Sequence, residues 1–178
     1  MYPVEETLRG QLLIAAPSLF DYFRRTVVLV LEHTEDGAMG VVLNRESETP
    51  VIEAVPLLAS FAEEADVVRI GGPVSPDSVV ALGEFDDIDD AGLQVVGSLG
   101  TLDPESDNAS LRRLRVYAGY AGWAPGQLDG ELEQEAWVVV PARPEDPFAE
   151  GDIWSNALRR KGGGYQLMAT MPSDPSMN

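Results

Sequence analysis

The sequence predicts an α+β fold: a mixed, largely antiparallel β-sheet with flanking helices, in a single compact domain spanning residues 1–178. Three observations predict it. β-Branched and apolar runs outnumber helical patterns along the chain. The first three such runs follow one another with no crossover helix, which argues against a doubly wound nucleotide fold. Two of them are joined by Glu35-Asp36-Gly37. An Asp-Gly pair between apolar runs is the strongest short-range hairpin signal, because glycine takes the positive φ that twist-matched turns require.

Residues 1–10 read as a flexible lead-in. Gln11 to Ala16 is a short apolar strand halted by Pro17. Leu19, Phe20, Tyr22 and Phe23 form a cluster expected to pack under the next strand, with Asp21, Arg24 and Arg25 on its polar side. Thr26 to Glu32 is β-branched and almost wholly apolar, as in a central strand covered on both faces. Ala38 to Leu43 is its hairpin partner, and Gly40 within it marks a bulge or a close backbone approach.

Thr49 to Ala65 predicts a helix with Val51, Ala54, Val55, Leu58 and Phe61 (or Ala62) on its apolar face. Pro50 fits its first turn and Pro56 is placed to kink or split it. Val67 to Ile70 and Ser78 to Leu82 are strands flanking Gly71-Gly72-Pro73-Val74. Glu84 to Asp90 holds five acids and reads as a solvated loop without the spacing of an EF-hand. Leu93 to Ser98 is a strand, and Asp103 caps a predicted helix from Pro104 to about Arg113. Leu114 to Tyr120 is a strand, Pro125 to Glu135 a helix, and Ala136 to Val140 the last long strand. Asp146 to Lys161 is a helix ended by the glycines at 162–164. The tail, 172–178, is an edge segment.

Of 178 residues, 44% are apolar and 24% charged, the balance of a soluble globular protein. There is no cysteine, which removes disulfides, thiolate nucleophiles and Cys-ligated metals. The N-terminus is acidic where a signal peptide is basic, and no run approaches the roughly 18 apolar residues of a membrane span. The expected location is cytoplasmic. Twelve basic residues against 30 acidic give −18, a field that repels phosphate backbones and anionic lipid head groups. Arg24-Arg25, Arg112-Arg113-Arg115 and Arg159-Arg160-Lys161 are short basic groups that fit helix ends or ion pairs better than a nucleic-acid site.

Four stretches resemble one family: PSLFDYFRRTVVLVLEHTEDGAMGVVLNR, GGPV at 71–74, GYAGWAPGQLDGEL at 119–132 with Ala136-Trp137, and the terminal Pro-Ser-Met-Asn. Together they are similar to the YqgE/AlgH family of bacterial proteins, over nearly the whole chain and in order. The resemblance implies a compact single-domain α+β fold and a cytosolic protein. It implies little about activity, since the family has no established reaction. The transcriptional-regulator label of some members would require DNA binding, against which the charge argues. Many relatives place a histidine after the strand following GGPV; this chain has Gly83 there.

The chemistry-bearing residues are sparse. His33 is the only histidine and sits near Glu32, Glu35 and Asp36. Neighbouring strand residues point to opposite faces, so Glu32 and His33 share one site only through a bulge. One imidazole with turn carboxylates makes a poor zinc site, and His33 is favoured as a hydrogen-bonding residue at the hairpin end. GGPV has neither the Rossmann nor the Walker spacing. Trp123, at a strand-to-helix turn, is placed either to stack on a ligand beside free N–H groups or to anchor the core with Tyr120. A hypothetical binding site therefore comprises His33, Asn44, Gly71, Gly72, Pro73, Tyr120, Trp123 and Gln127. No cofactor, metal or catalytic residue is assigned. Three readings stand open. The first is a non-catalytic binding or regulatory protein acting through a protein partner or small ligand. The second is an enzyme using His33 with a carboxylate, and the third a transcription-linked regulator, with direct DNA contact disfavoured.

Overall fold

The longest strand, β9 (Leu111–Trp123), is the spine on which the sheet is assembled. The computed structural model describes residues 7–19, 21–103 and 105–170. Phe20, Pro104 and the Pro-Ser-Met-Asn motif, with the edge segment 172–178, lie outside the described residues. The strands are β1 (Gln11–Ala15), β2 (Val27–Thr34), β3 (Gly37–Val42), β4 (Glu46–Pro50), β5 (Val67–Ile70), β6 (Val74–Phe85), β7 (Gln94–Val96), β8 (Leu99–Thr101), β9 and β10 (Trp137–Pro141). The helices are α1 (Val51–Ala54), α2 (Gln127–Glu133), α3 (Ile153–Lys161) and α4 (Tyr165–Met168).

Ten strands form one sheet in the order β10-β1-β2-β3-β9-β6-β8-β7, antiparallel along this path. β9 is long enough to fork the sheet. Its C-terminal end pairs with β3 (Ala38 opposite Trp123), while its middle pairs in parallel with β5 (Arg69 beside Tyr117). β4 adds antiparallel to β5. The mixed, largely antiparallel sheet with flanking helices is the predicted α+β arrangement.

The predicted central strand is covered on both faces. Val27 to Leu31 are each at most 3% exposed, with Leu29 under α3 and Val28 under α2. Burying such side chains stabilises by about 1.5–3 kcal/mol each. The β2–β3 register shifts at Leu31, the unpaired residue between the Val30–Gly40 and Glu32–Met39 pairs. A Cβ on Gly40 would lie 2.5 Å from the Leu29 carbonyl oxygen, so this glycine serves both bulge and close approach. The bulge precedes Glu32 and His33 rather than separating them, so the pair keeps opposite faces.

The helices differ most from expectation. Residues 49–65 form no continuous helix. Pro56 lacks an N–H and excludes Val55 from helical geometry; Val55 takes φ −134°, ψ 78°, leaving the one-turn α1 and a 3-10 turn at Pro56–Leu58. Glu46 to Pro50 pair instead as β4.

The helix expected from Pro104 to Arg113 is also absent. The Asp103 carboxylate accepts from Glu105 N and its carbonyl from Ser106 N, a single turn; Asn108 then turns left-handed at φ +51°, and from Leu111 the chain pairs with β6. Eight register positions of β6–β9 pairing outweigh local helix preference.

The predicted helix from Asp146 is divided. A 3-10 turn, Asp146–Phe148, is followed by Gly151 at φ +83°, and α3 starts anew with the Asp152 carboxylate accepting from Ser155 N. The acidic loop begins later than predicted, because Glu84 and Phe85 are buried in β6. Leu93 to Ser98 becomes the β7–β8 hairpin, turning at Gly97 (φ +52°). The part of the lead-in that is described is pinned: Gly10 N donates to Val30 O and Ala142 N to Gly10 O. Among the described residues, no helix is long and apolar enough to cross a membrane.

Candidate functional site

The residues singled out from sequence fall into three separate groups. At the hairpin end, His33 Nδ1 accepts from Leu8 N at 3.0 Å, and Nε2 lies 3.7 Å from Asp129 on α2. The imidazole thus ties the lead-in to the sheet and lies beside the start of α2. The crevice beside it, lined by Gly37, Ala124 and Asp129, encloses no water-sized space.

Trp123 is 5% exposed, and its indole N–H donates to Glu131 Oε1 at 3.0 Å; Trp137 donates to the same oxygen at 2.9 Å. Gln127 Nε2 donates to Glu131 Oε2, and Gln127 Oε1 accepts from Ala124 N. Phe23 stacks on Trp123 at 6.2 Å and meets Trp137 edge-on at 5.7 Å. Trp123 and Gln127 are therefore members of a closed aromatic cluster fastened by one carboxylate, with the indole face taken by Phe23.

Gly71, Gly72 and Tyr120 form the second group. Gly71 N donates to Ala118 O, and Val42 N donates to Gly71 O. A Cβ on Gly71 would lie 2.4 Å from the Gly119 carbonyl oxygen, and one on Gly72 2.2 Å from Tyr120 backbone atoms. The two glycine motifs of the sequence thus meet backbone to backbone, while Pro73 is exposed at the turn. Asn44 stands alone at the opposite end of β3, accepting from Val27 N and donating to Arg25 O. Six residues of extended chain separate it from the position opposite His33, about 20 Å at 3.3 Å per residue. The eight residues do not share one surface.

The residues that do converge were missed. β9 alternates Arg113, Arg115 and Tyr117 on one face, and the parallel register sets Arg69 of β5 beside Tyr117. Arg69, Arg113 and Arg115, together with Arg112 and Phe148, line a cleft of about 510 Å³, within the 300–1,000 Å³ range of small-molecule sites, while Tyr117 is buried in the core beside them. Four of the chain's 12 basic residues line it. Arg69 is 7% exposed overall, and its guanidinium meets Glu46 Oε1 at 2.9 Å. Arg115 lies 3.5 Å from Asp66 and donates from Nε to Pro147 O. Arg113 pairs with Glu84 at 2.9 Å and lies 4.0 Å over the Phe148 ring.

This cluster is under electrostatic tension. Burial lowers the Arg115 pKa and the neighbouring Arg69 charge lowers it further, while Asp66, Tyr117 and Glu150 oppose the shift. The Tyr117 hydroxyl is fully buried and has no hydrogen-bond partner among the described residues. Burial pushes its pKa well up, against the pull of Arg69 and Arg115. Two adjacent guanidiniums held by carboxylates at their edges, one of them 62% exposed (Glu46), carry more donors than acceptors. Such a site can receive a carboxylate or phosphate in the paired geometry for which guanidinium is suited.

The sequence signal was present but weak. In LRRLRVY, period-two spacing puts Arg113, Arg115 and Tyr117 on one strand face; read as the end of a helix, the same residues become solvated cations. Arg69 appears only as a charge interrupting an apolar strand. Among the described residues, no three acidic or histidine side chains are placed to hold a metal ion.

Residues 12–166 match the model of the AlgH-like family. A UPF0301 protein of Streptomyces coelicolor is 44% identical over 186 residues, covering 97% of this chain and 96% of the relative. A UPF0301 protein of Mycobacteroides abscessus is 40% identical over 191 residues, covering 100% of this chain and 92% of the relative. The crystal structure of a Corynebacterium diphtheriae protein superposes with a TM-score of 0.84 at 33% identity, over 96% of this chain and 95% of that one. The solution structure of AlgH from Pseudomonas aeruginosa gives 0.67 at 29% identity, over 97% and 98%. Matched nearly end to end in sequence and in fold, this chain belongs to the AlgH-like family, as the sequence motifs had implied.

Proposed function

We propose that the protein is a non-catalytic binding or regulatory protein of the cytoplasm whose ligand is a small anion held between Arg69 and Arg115. The observation that carries this reading is the convergence of four arginines on one cleft in a chain of net charge −18. A buried cation is costly unless paired, by several kcal/mol for an isolated ion. An anion between the two guanidiniums relieves their mutual repulsion, with Glu46 and Asp66 moving aside or sharing. The acidic remainder of the surface discourages long polyanions, so the reading favours a compact ligand over a nucleic-acid backbone.

His33 supports this reading better than it supports acid–base chemistry. Its Nδ1 is engaged by a backbone N–H, and its surroundings enclose no space for a substrate.

Two measurements test the proposal. Native mass spectrometry of protein gently purified from its host is expected to show a retained acidic small molecule. Thermal melts with citrate and with inorganic pyrophosphate are expected to show stabilisation that Arg115→Gln and Arg69→Gln each remove. Equal stabilisation of the variants and the parent protein, or no stabilisation of any, overturns it.

A further inference from the structure

A second cleft, of about 420 Å³, runs along α3. Asn156, Arg159 and Arg160 of the helix line it together with Arg143 and Asp146 of the segment that follows β10. Three guanidiniums and one carboxylate give its lining a net of two positive charges, in a chain of net charge −18.

The carboxylate is already spent. Asp146 is 8% exposed and accepts from Arg160 Nη1 and Nη2 at 2.8 Å each and from Arg143 N at 2.7 Å. It therefore neutralises Arg160 and fastens the backbone at residue 143 to α3. Among the described residues, no carboxylate forms an ion pair with Arg143 or Arg159. Glu145 acts on Arg160, and Asp152 feels Arg159, through charge without an ion pair. In the arginine cleft described above, by contrast, each of the four guanidiniums lies within 3.5 Å of a carboxylate. Arg159 Nη1 donates to Asn156 Oδ1 at 3.1 Å, which orients the guanidinium and leaves Asn156 Nδ2 as a further donor.

Cations in the last turn of a helix offset its dipole, and Arg159 and Arg160 stand there in α3. That role does not involve Arg143, which comes from another element and lines the same cleft.

We infer that this cleft is a second binding site, for a compact dianion held between Arg143 and Arg159 with Asn156 Nδ2 as a neutral donor. Two guanidiniums without carboxylates match two negative charges, and the planar fork suits paired hydrogen bonds to phosphate or carboxylate oxygens. A phosphate monoester, with about −1.5 to −2 charges at pH 7, and a short dicarboxylate share this chemistry. The inference is independent of the anion proposed at Arg69 and Arg115.

Exposed guanidiniums are screened by salt, so binding is expected in the millimolar range and is read by NMR rather than by melting. The full chain is titrated with glycerol phosphate, succinate and the monoanion dimethyl phosphate at fixed ionic strength, following the arginine Nε–H and Asn156 side-chain signals. Saturable shifts are expected at Arg143, Arg159 and Asn156, with dimethyl phosphate bound at least about tenfold more weakly than the dianions. Arg143→Gln and Arg159→Gln are each expected to weaken binding about tenfold, the loss of a hydrogen bond between charged groups, while Arg115→Gln leaves it unchanged. The tighter of glycerol phosphate and succinate identifies the source, and either supports the inference. Dimethyl phosphate bound as tightly as glycerol phosphate overturns the dianion. Shifts at Arg69 and Arg115 alone overturn this site and leave the arginine cleft standing. Binding that persists at full strength in both Arg143→Gln and Arg159→Gln, or no shift with any probe, also overturns it.

Discussion

Replacing Tyr117 by phenylalanine is expected to stabilise the free protein. The side chain is fully buried in the main core, packed among Leu43, Leu82 and Phe148, and its hydroxyl has no partner among the described residues. A hydroxyl desolvated without a hydrogen bond costs about 1–3 kcal/mol, and phenylalanine fills the same space without it. The gain is reduced by whatever the Arg69 and Arg115 charges give the hydroxyl dipole, so about 1 kcal/mol is the expected net. For a domain of this size that raises the melting temperature by about 2–4 °C. Differential scanning calorimetry and urea titration of both proteins measure it, and an unchanged m-value shows that the same surface unfolds. A Tyr117→Phe protein as stable as the parent, or less stable, refutes the argument, because the hydroxyl must then have a partner.

Further outcomes follow from other contacts. Glu131→Gln is expected to destabilise by about 1.5–3 kcal/mol, because a single carboxylate accepts from Trp123, Trp137 and Gln127 and an amide facing Gln127 Nε2 sets donor against donor; chemical denaturation with a tryptophan-fluorescence readout measures it. Gly71→Ala is expected to cost about 1–3 kcal/mol or more, since its Cβ would meet the Gly119 backbone oxygen at 2.4 Å where no side chain can yield; loss of thermal stability checks it. Asp152 is partly desolvated, which raises its pKa, but hydrogen bonds from Ser155 and the charges of Arg25 and Arg159 outweigh this and hold it below the ordinary aspartate value. A depressed carboxylate pKa contributes stability that is present above the unfolded-state value and lost as pH falls through the folded one. Asp152→Asn is therefore expected to lose less stability than the parent protein on acidification below about pH 3.8, as compared by melts across that range.

The parts of the fold legible in the sequence are those set by neighbouring residues. The β2–β3 hairpin follows from two apolar runs and Asp36-Gly37, and the coverage of β2 on both faces follows from the lack of alternation in Val27–Leu31. Gly40 was legible as a bulge or close approach and is both. Proline chemistry at Pro56 indicated a split, although not that the segment before Val51 would pair as a strand. At the candidate site the sequence supplied Trp123 and Tyr120 as core anchors, but its ligand-facing alternative for Trp123 required an exposed indole. Glu131, eight residues on, closes that indole off, and a glutamate on an acidic helix gives no sign of facing inward.

The sequence by itself determined the family, the strand-rich fold and the absence of any thiol chemistry, because those depend on composition and on patterns a few residues long. Tertiary structure alone decided that Arg69, Arg115 and Tyr117 are neighbours. Arg115 and Asp66 meet across 49 residues of chain, and the parallel pairing of β5 with β9 puts Arg69 in register with Tyr117. A strand pairing of that range is selected by the burial of whole sheet faces, since a slip of one residue would turn every side chain to the other side. The charge cluster is a consequence of that register, and no local pattern encodes it.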